Sequence, residues 1–422
     1  MSLKRNTVWN LIGIALPLAL GAITIPYLLE KIGVESFGVL TLVWALIGYF
    51  SLFDFGLGRA LTQQVASARA ADQLSTLPDL IKTGLFLAAA TGAVGGVLLA
   101  STSNLLGFHW LNVSPSLQES TTHALLIASI GIPLTTITSG LRGVLEAYED
   151  FKTVNILRIA LGLANFGLPA LSVLLISDSL PLMVGGLMVA RAFALTAHAV
   201  FVSRTLPRSL GSGRMSHKNL KGLLSFGAWM TLSNVASPLM VTADRFVISS
   251  MLGASVVAYY TVPFEILIRV LLLPAALTSV LFPRLTAVMI TDKPAARLLY
   301  RRSLKVVTLT LFPICLIIAI CSNWGLSFWL GTEFAEHSWR VVTIMALGLF
   351  LNGVAYVPYA AIQAAGDART TAQLHLLELT LYVPILYIGI YHFGLFGAAA
   401  AWVSRVAFDL IALLLRAKYL KL

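Results

Sequence analysis

Charge is scarce in this chain. Only 11% of its 422 residues are Asp, Glu, Lys or Arg, less than half the roughly 25% of a soluble domain. With 58% hydrophobic residues and a mean hydropathy of +0.87, that scarcity excludes a water-soluble globule and makes lipid the solvent. Cysteine is nearly missing. Cys315 and Cys321 are the only two, and within one predicted helix they are about 9 Å apart in rise, too far for a disulfide. No G-x-x-x-x-G-K-[ST] loop occurs, which excludes ATP hydrolysis by this chain. No Ser-His-Asp arrangement, extramembrane carboxylate pair or metal-ligand cluster is visible, so neither a catalytic centre nor a cofactor is expected. His109, His123 and His337 read as solvated, and His198 and His375 as packing residues.

What fills the chain instead is a series of apolar runs near the roughly 20 residues a bilayer requires. They lie near 8–29, 37–58, 81–103, 119–141, 154–177, 182–203, 223–249, 256–283, 303–322, 339–362, 373–391 and 396–416. Lys4 and Arg5 before the first run mimic a signal peptide, but the run is too long for an h-region. The expectation is an all-α integral membrane protein of about twelve spans. An even number puts both termini on one side. Basic residues choose that side: Arg59, Arg69, Lys82, Arg142, Lys152, Arg204, Arg208, Arg284, Arg297, Arg301, Arg369 and Lys418 fall in the termini and one set of loops, against Lys31 and Arg340 opposite. Both termini are therefore expected in the cytoplasm. The net charge of +11 reflects those loops facing anionic lipid, and nucleic acid is not an expected partner. Trp110, Trp324 and Trp329 fit an interfacial belt on the other side.

The chain also repeats itself. Leu145-Glu146-Ala147-Tyr148-Glu149-Asp150-Phe151-Lys152-Thr153 returns 217 positions later as Ile362-Gln363-Ala364-Ala365-Gly366-Asp367-Ala368-Arg369-Thr370. Trp9 and Trp229, Gly33 and Gly253, and Thr41 and Thr261 match at an offset of 220; Pro169 and Pro384 match at 215, and Arg191 and Arg405 at 214. A slowly drifting offset is the mark of a duplicated ancestor. Two six-span lobes, 1–203 and 223–422, are expected around a central cavity, joined by a cytoplasmic linker at 204–222 containing Pro207, Gly211, Ser212 and Gly213. With six spans per half the repeat is parallel, an arrangement typical of transporters.

Ionisable groups inside spans cost about 2.5–3.5 kcal/mol each, which makes each a functional candidate. Five are basic (Arg158, Arg191, Arg245, Arg269, Arg405) and five acidic (Asp54, Asp244, Glu265, Glu378, Asp409). Glu265 and Arg269 stand at i and i+4 in the favourable helical order, about 13 and 20 Å from the outer end of their span. Substrate binding near the midplane and a closed structural pair are the two readings. Arg191 and Arg405 are repeat partners, and Asp409 stands at i+4 from Arg405; structural pairing leads there, with Arg158 and Glu378 among the intramembrane charges to be matched. Asp54 and Arg59 bracket Phe55-Gly56-Leu57-Gly58, either a gate or a headgroup anchor. Asp244 and Arg245, being adjacent, face different directions and seek different partners, and an outer gate is one reading. Asn10 and Asn234 either line a cavity or satisfy a neighbouring helix. Pro17, Pro26, Pro238, Pro263 and Pro274 kink helices 1, 7 and 8.

The opening carries a resemblance. Asn6-Thr7-Val8-Trp9-Asn10, Gly33-Val34-Glu35-Ser36-Phe37-Gly38 and Gly48-Tyr49-Phe50-Ser51-Leu52-Phe53-Asp54-Phe55-Gly56-Leu57-Gly58-Arg59 are similar to the polysaccharide-transporter family, which includes the O-antigen flippases. Ser225-Phe226-Gly227-Ala228-Trp229-Met230, Asp244-Arg245-Phe246 and Ala258-Tyr259-Tyr260-Thr261 extend it across the chain. The family shares a superfamily with multidrug and toxin extrusion pumps and lipid II flippases. The resemblance implies a bacterial inner-membrane flippase in which helices 1, 2, 7 and 8 line the cavity. Its substrate would be a polyprenyl-diphosphate-linked oligosaccharide moved by an H+ or Na+ gradient, and other polysaccharide assembly proteins would be possible partners. Arg269 would engage the diphosphate, with Glu265 or Asp54 competing for the arginine and taking protons on return. The alternatives are a cation-coupled drug exporter, disfavoured by as many arginines as carboxylates in the spans, and a sugar polymerase or ligase, disfavoured by short outer loops near 104–118 and 323–338.

Overall fold

The structure, a computed structural model, describes residues 3–49, 55–111, 113–206 and 213–421. Asp54 and linker residues 207–212 lie outside them, as do the side chains of Lys4, Arg5, Trp110 and Pro238. Among the described residues the chain is helical, without a strand: α1 (Leu3–Tyr49), α2 (Leu57–Ala70), α3 (Leu77–Leu105), α4 (Pro115–Ala147), α5 (Phe151–Leu175), α6 (Leu180–Thr205), α7 (His217–Leu252), α8 (Ala254–Leu267), α9 (Leu272–Thr291), α10 (Lys293–Leu330), α11 (Thr332–Ala364) and α12 (Ala368–Tyr419). Nine helical segments among these residues are long and apolar enough to cross a membrane, and residues Glu35–Trp44 form a shorter apolar helix. The protein is a multi-pass membrane protein. Two compact units divide the chain, residues 1–228 and 229–422.

In the first unit α4 is central, packing on α2, α3 and α6, and Leu28, Val43, Leu125, Ile132 and Leu187 are fully buried around it. In the second unit α11 holds the corresponding place against α8, α9, α10 and α12, with Tyr260, Phe264, Leu349 and Trp402 in the core. α4 and α11 are the helices that end in the repeated motif, so the sequence repeat and the packing hub coincide.

The motif is a helix–turn–helix with one hydrogen-bond plan used twice. The Asp150 amide donates to Leu145 O at 3.1 Å and the Asp367 amide to Ile362 O at 3.1 Å, the six-residue closure that ends a helix through a left-handed residue. That residue is Glu149 (φ 57°) in one copy and Gly366 (φ 84°) in the other. The aspartate then caps the next helix, accepting from the Thr153 amide at 3.2 Å and from the Thr370 amide at 3.2 Å. Asp-x-x-Thr persists because an N-cap needs a side-chain acceptor three residues ahead of an orphan N–H. The copies differ in their clamps. Arg69 donates to Ala147 O at 2.6 Å and lies 3.8 Å over the Tyr148 ring, whereas Arg416 grips Asp367 itself at 2.6 and 2.9 Å. Asp150→Ala is expected to cost about 1 kcal/mol as a lost cap; Asp367→Ala should cost more, because Arg416 loses its carboxylate as well. Thermal unfolding of both variants in detergent checks the order.

Gly33 and Gly253 also repeat in conformation. α1 bends at Gly33 (φ 77°, ψ 162°), and Gly253 (φ 96°, ψ 152°) separates α7 from α8. Both angle pairs lie where a Cβ is disfavoured, so each half turns its first helix into its second on a glycine.

One face of α10 reads like a section through a bilayer. Arg301, Arg302 and Lys305 are exposed at its start. Val306, Leu309, Phe312, Ile317 and Ile320 follow, each more than half exposed, and then Trp324 and Phe328. Lys305 to Trp324 is about 28 Å of helix rise, close to the ~30 Å of a hydrocarbon core.

Candidate functional site

Two polar constellations occupy the second unit. The first joins α7 to α8. Adjacent residues on α7 point apart: Asp244 is fully buried and accepts from Tyr260 Oη at 2.8 Å, while Arg245 donates through Nη2 to Oε1 of Glu265. Oε2 of the same carboxylate lies 3.7 Å from Nη2 of Arg269. Glu265 is thus shared by two guanidinium groups and leaves the trio one positive charge in excess. The Arg269 side chain is 69% exposed. It sits on a 3-10 turn, Ile268–Leu271, between α8 and α9. Pro274 has no N–H for the carbonyl four residues back, consistent with a tightened backbone at that place.

The second constellation surrounds a cavity of about 350 Å³ walled by α7, the turn into α9, α11 and α12. His375, Glu378, Arg405 and Asp409 reach it together with Asn234 and Asn352. His375 and Glu378 precede the bend of α12 at Gly394 and Asp409 follows it, so one helix folded on itself supplies all three. Arg405 donates to Sδ of Met240 at 3.3 Å and lies 5.3 Å over the Tyr382 ring. Asp409 associates with Glu378 and forms no ion pair with Arg405 among those found for the described residues.

The remaining candidates lie in the first unit. Asn10 is buried and accepts from Asn155 Nδ2 at 2.6 Å, and Arg158 donates to Asn155 Oδ1 at 3.1 Å; these bonds tie α1 to α5. Arg191 is 7% exposed and donates to Leu187 O at 3.2 Å. It has no ion pair among the described residues, unlike the acid-rich surroundings of its repeat partner Arg405. Arg59 is exposed at the start of α2.

Within the second unit the structure therefore brings Arg245, Glu265 and Arg269 together and gathers Glu378, Arg405 and Asp409 with Asn234; within the first it joins Asn10 and Arg158 through Asn155. His375, expected as a packing residue, stands beside two carboxyls. Its i, i+3 spacing to Glu378 was the available signal, but Asp409, 31 positions beyond Glu378, could not be placed from sequence.

The chain matches the family described as polysaccharide biosynthesis protein over residues 3–289. It is 33% identical, over all of this chain and 99% of the relative, to a Shigella flexneri protein named "Putative O-antigen transporter". Among solved structures it is similar to a Vibrio cholerae MATE transporter in the bent form, with a TM-score of 0.86 at 16% identity over 99% of this chain and 95% of that one. A MOP superfamily transporter from Pyrococcus furiosus, described as having a binding pocket of reverse polarity, aligns with a TM-score of 0.81 at 15% identity over 100% of this chain and 96% of that one. These likenesses show the fold. Family match, relative and fold agree with the resemblance read from the opening residues: the chain belongs to the polysaccharide biosynthesis protein family, as a membrane transporter of the polysaccharide flippase type.

Proposed function

We propose that this protein carries a polyprenyl-diphosphate-linked oligosaccharide, an O-antigen or similar surface-polysaccharide repeat unit, across the bacterial inner membrane by alternating access. The observation that carries the reading is the Arg245–Glu265–Arg269 trio. A sugar diphosphate cannot cross hydrocarbon unaided, because each unpaired hydroxyl costs kilocalories and each charge far more. Guanidinium groups match phosphate oxygens bidentately. A diphosphate arriving at the trio replaces Glu265 as the partner of both arginines, and Glu265 recloses the pair once the substrate leaves. An H+ or Na+ gradient drives the cycle, with Glu265 or Asp54 taking protons in the return step.

The architecture proposed for this cycle has twelve crossings. The parts of α1 on either side of Gly33, α7, the α8–α9 pair and the two parts of α12 complete that number. The six-span lobes flank a hydrophilic passage, and both termini are cytoplasmic. The basic-to-aromatic order along α10 supports this orientation.

The rival is a cation-coupled multidrug exporter, favoured by likeness to MATE transporters. A site for lipophilic cations needs surplus negative charge, and the trio has a surplus of positive charge. Proteoliposomes carrying the lipid-linked oligosaccharide in one leaflet test the choice. Gradient-accelerated appearance of the glycan in the other leaflet is expected; export of lipophilic cations without glycan movement would overturn the assignment.

A further inference from the structure

We propose that His375, Glu378 and Asp409 form a binding site for one divalent first-row metal ion of the zinc class. Their ligand atoms all lie within 4.8 Å of one another. Nδ1 of His375, Oε1 of Glu378 and Oδ1 of Asp409 are each buried without a hydrogen-bond partner. Glu378 is only 3% exposed, yet it reaches the cavity. Buried acceptors left without a donor are costly, and three converging on one small volume are the arrangement a bound cation relieves.

Asp244, Glu378 and Asp409 all interact electrostatically with Arg405. The donor set then selects among cations. An imidazole nitrogen suits Zn2+ and its neighbours, whereas hard alkali and alkaline-earth ions take oxygen ligands. The Ser233 backbone stands in hydrogen-bonding relation to the His375 ring. With Nδ1 lacking a partner, Nε2 is the atom left to make that bond, and an outer-shell carbonyl of this kind fixes the tautomer whose free lone pair faces the metal. Polar Asn234 and Asn352 line the same cavity and leave room for water as a fourth ligand, the usual completion of a three-residue zinc site. This site stands on the cavity alone and does not depend on the substrate proposed for the trio.

The experiment is a titration of the full-length protein, purified in detergent and stripped with chelator, with Co2+ followed by its ligand-field absorption. Zn2+ then serves as competitor, and Na+ is tested in excess. Saturation at one equivalent, displacement by Zn2+ and indifference to Na+ are expected. His375→Ala and Glu378→Gln should each weaken binding at least tenfold. Arg269→Ala should bind as wild type even where export fails, which separates this site from the transport assignment. A Zn2+-induced rise in the Tm of the wild-type protein gives a second reading independent of variant folding. Absence of Co2+ bands, binding unchanged by His375→Ala and Glu378→Gln, or displacement by Na+ would each overturn the proposal.

Discussion

Arg269→Ala is expected to abolish the proposed glycan export while the protein stays in the membrane at wild-type level. The Arg269 side chain is 69% exposed and its contact with Glu265 is long at 3.7 Å, so folding loses little, as is usual for exposed ion pairs. Export loses the positive charge that makes the trio attractive to an anion. With Arg245 held by Glu265, removal of Arg269 leaves a neutral pair. A hydrogen bond to a charged group contributes about 1.5–3 kcal/mol, which corresponds to roughly ten- to hundredfold in affinity, and a bidentate grip on the diphosphate involves two. Arg269→Lys should keep part of the activity, since an ammonium restores the charge without the fork. Glu265→Gln should slow turnover by a different route, because two uncompensated arginines hold the diphosphate too well for release. Surface-polysaccharide display in a strain lacking its own flippase, with immunoblots of the membrane fraction, measures all three. Normal display by Arg269→Ala would remove this arginine from the site.

The second large effect concerns the fold. Gly397→Ala is expected to leave almost no monodisperse protein. An ideal Cβ at position 397 would lie 1.8 Å from the carbonyl oxygen of Gly389 and 2.1 Å from its carbon. Both obstacles are backbone, so no rotamer change relieves them. α12 turns back on itself at Gly394 (φ 59°, ψ −135°), and the flanking segments meet where neither residue has a side chain. Close approach of helices through small residues is how packing is gained in lipid, where there is no hydrophobic drive between apolar surfaces. The cost should exceed the about 1–3 kcal/mol of ordinary overpacking. Gly325→Ala in α10 is the internal control: nothing lies within 4 Å of its Cβ, and alanine should add about 0.5–1 kcal/mol of helix stability. Size-exclusion profiles and Tm values of the two variants should move in opposite directions. Equal behaviour would mean that the close crossing at Gly389 does not shape the folded protein.

If Gly397→Ala fails as expected, the geometry that joins Asp409 to His375 and Glu378 fails with it, because the bend at Gly394 brings the two parts of α12 together. The bend at Gly394 thus underlies both the close crossing in α12 and the approach of Asp409 to His375 and Glu378.

Several elements are legible in the sequence itself. Hydropathy placed the apolar helices because a bilayer acts on each segment through its own composition. The repeated Asp150 and Asp367 turns were visible because capping is local: acceptor, spacing and left-handed residue lie within ten positions of one another. Even the divergence of Asp244 and Arg245 followed from helix geometry, since neighbours face apart. Partner choice did not follow. Sequence paired Glu265 with Arg269, whereas the structure gives its nearer oxygen to Arg245 on another helix. Sequence offered Asp409 to Arg405, which does act on it electrostatically, but gave no sign that the cavity also brings it to Glu378 and His375.

What the chain alone determined, then, is the membrane as solvent, the helical class, the repeated turn motif and the family. Each is a sum of local properties or a similarity along the chain, and neither kind of signal requires knowing what lies across space. Only the tertiary structure decided which buried charges meet. An ion pair or a buried polar cluster depends on distances of a few ångströms between residues tens of positions apart, and helix bends such as those at Gly253 and Gly394 set those distances.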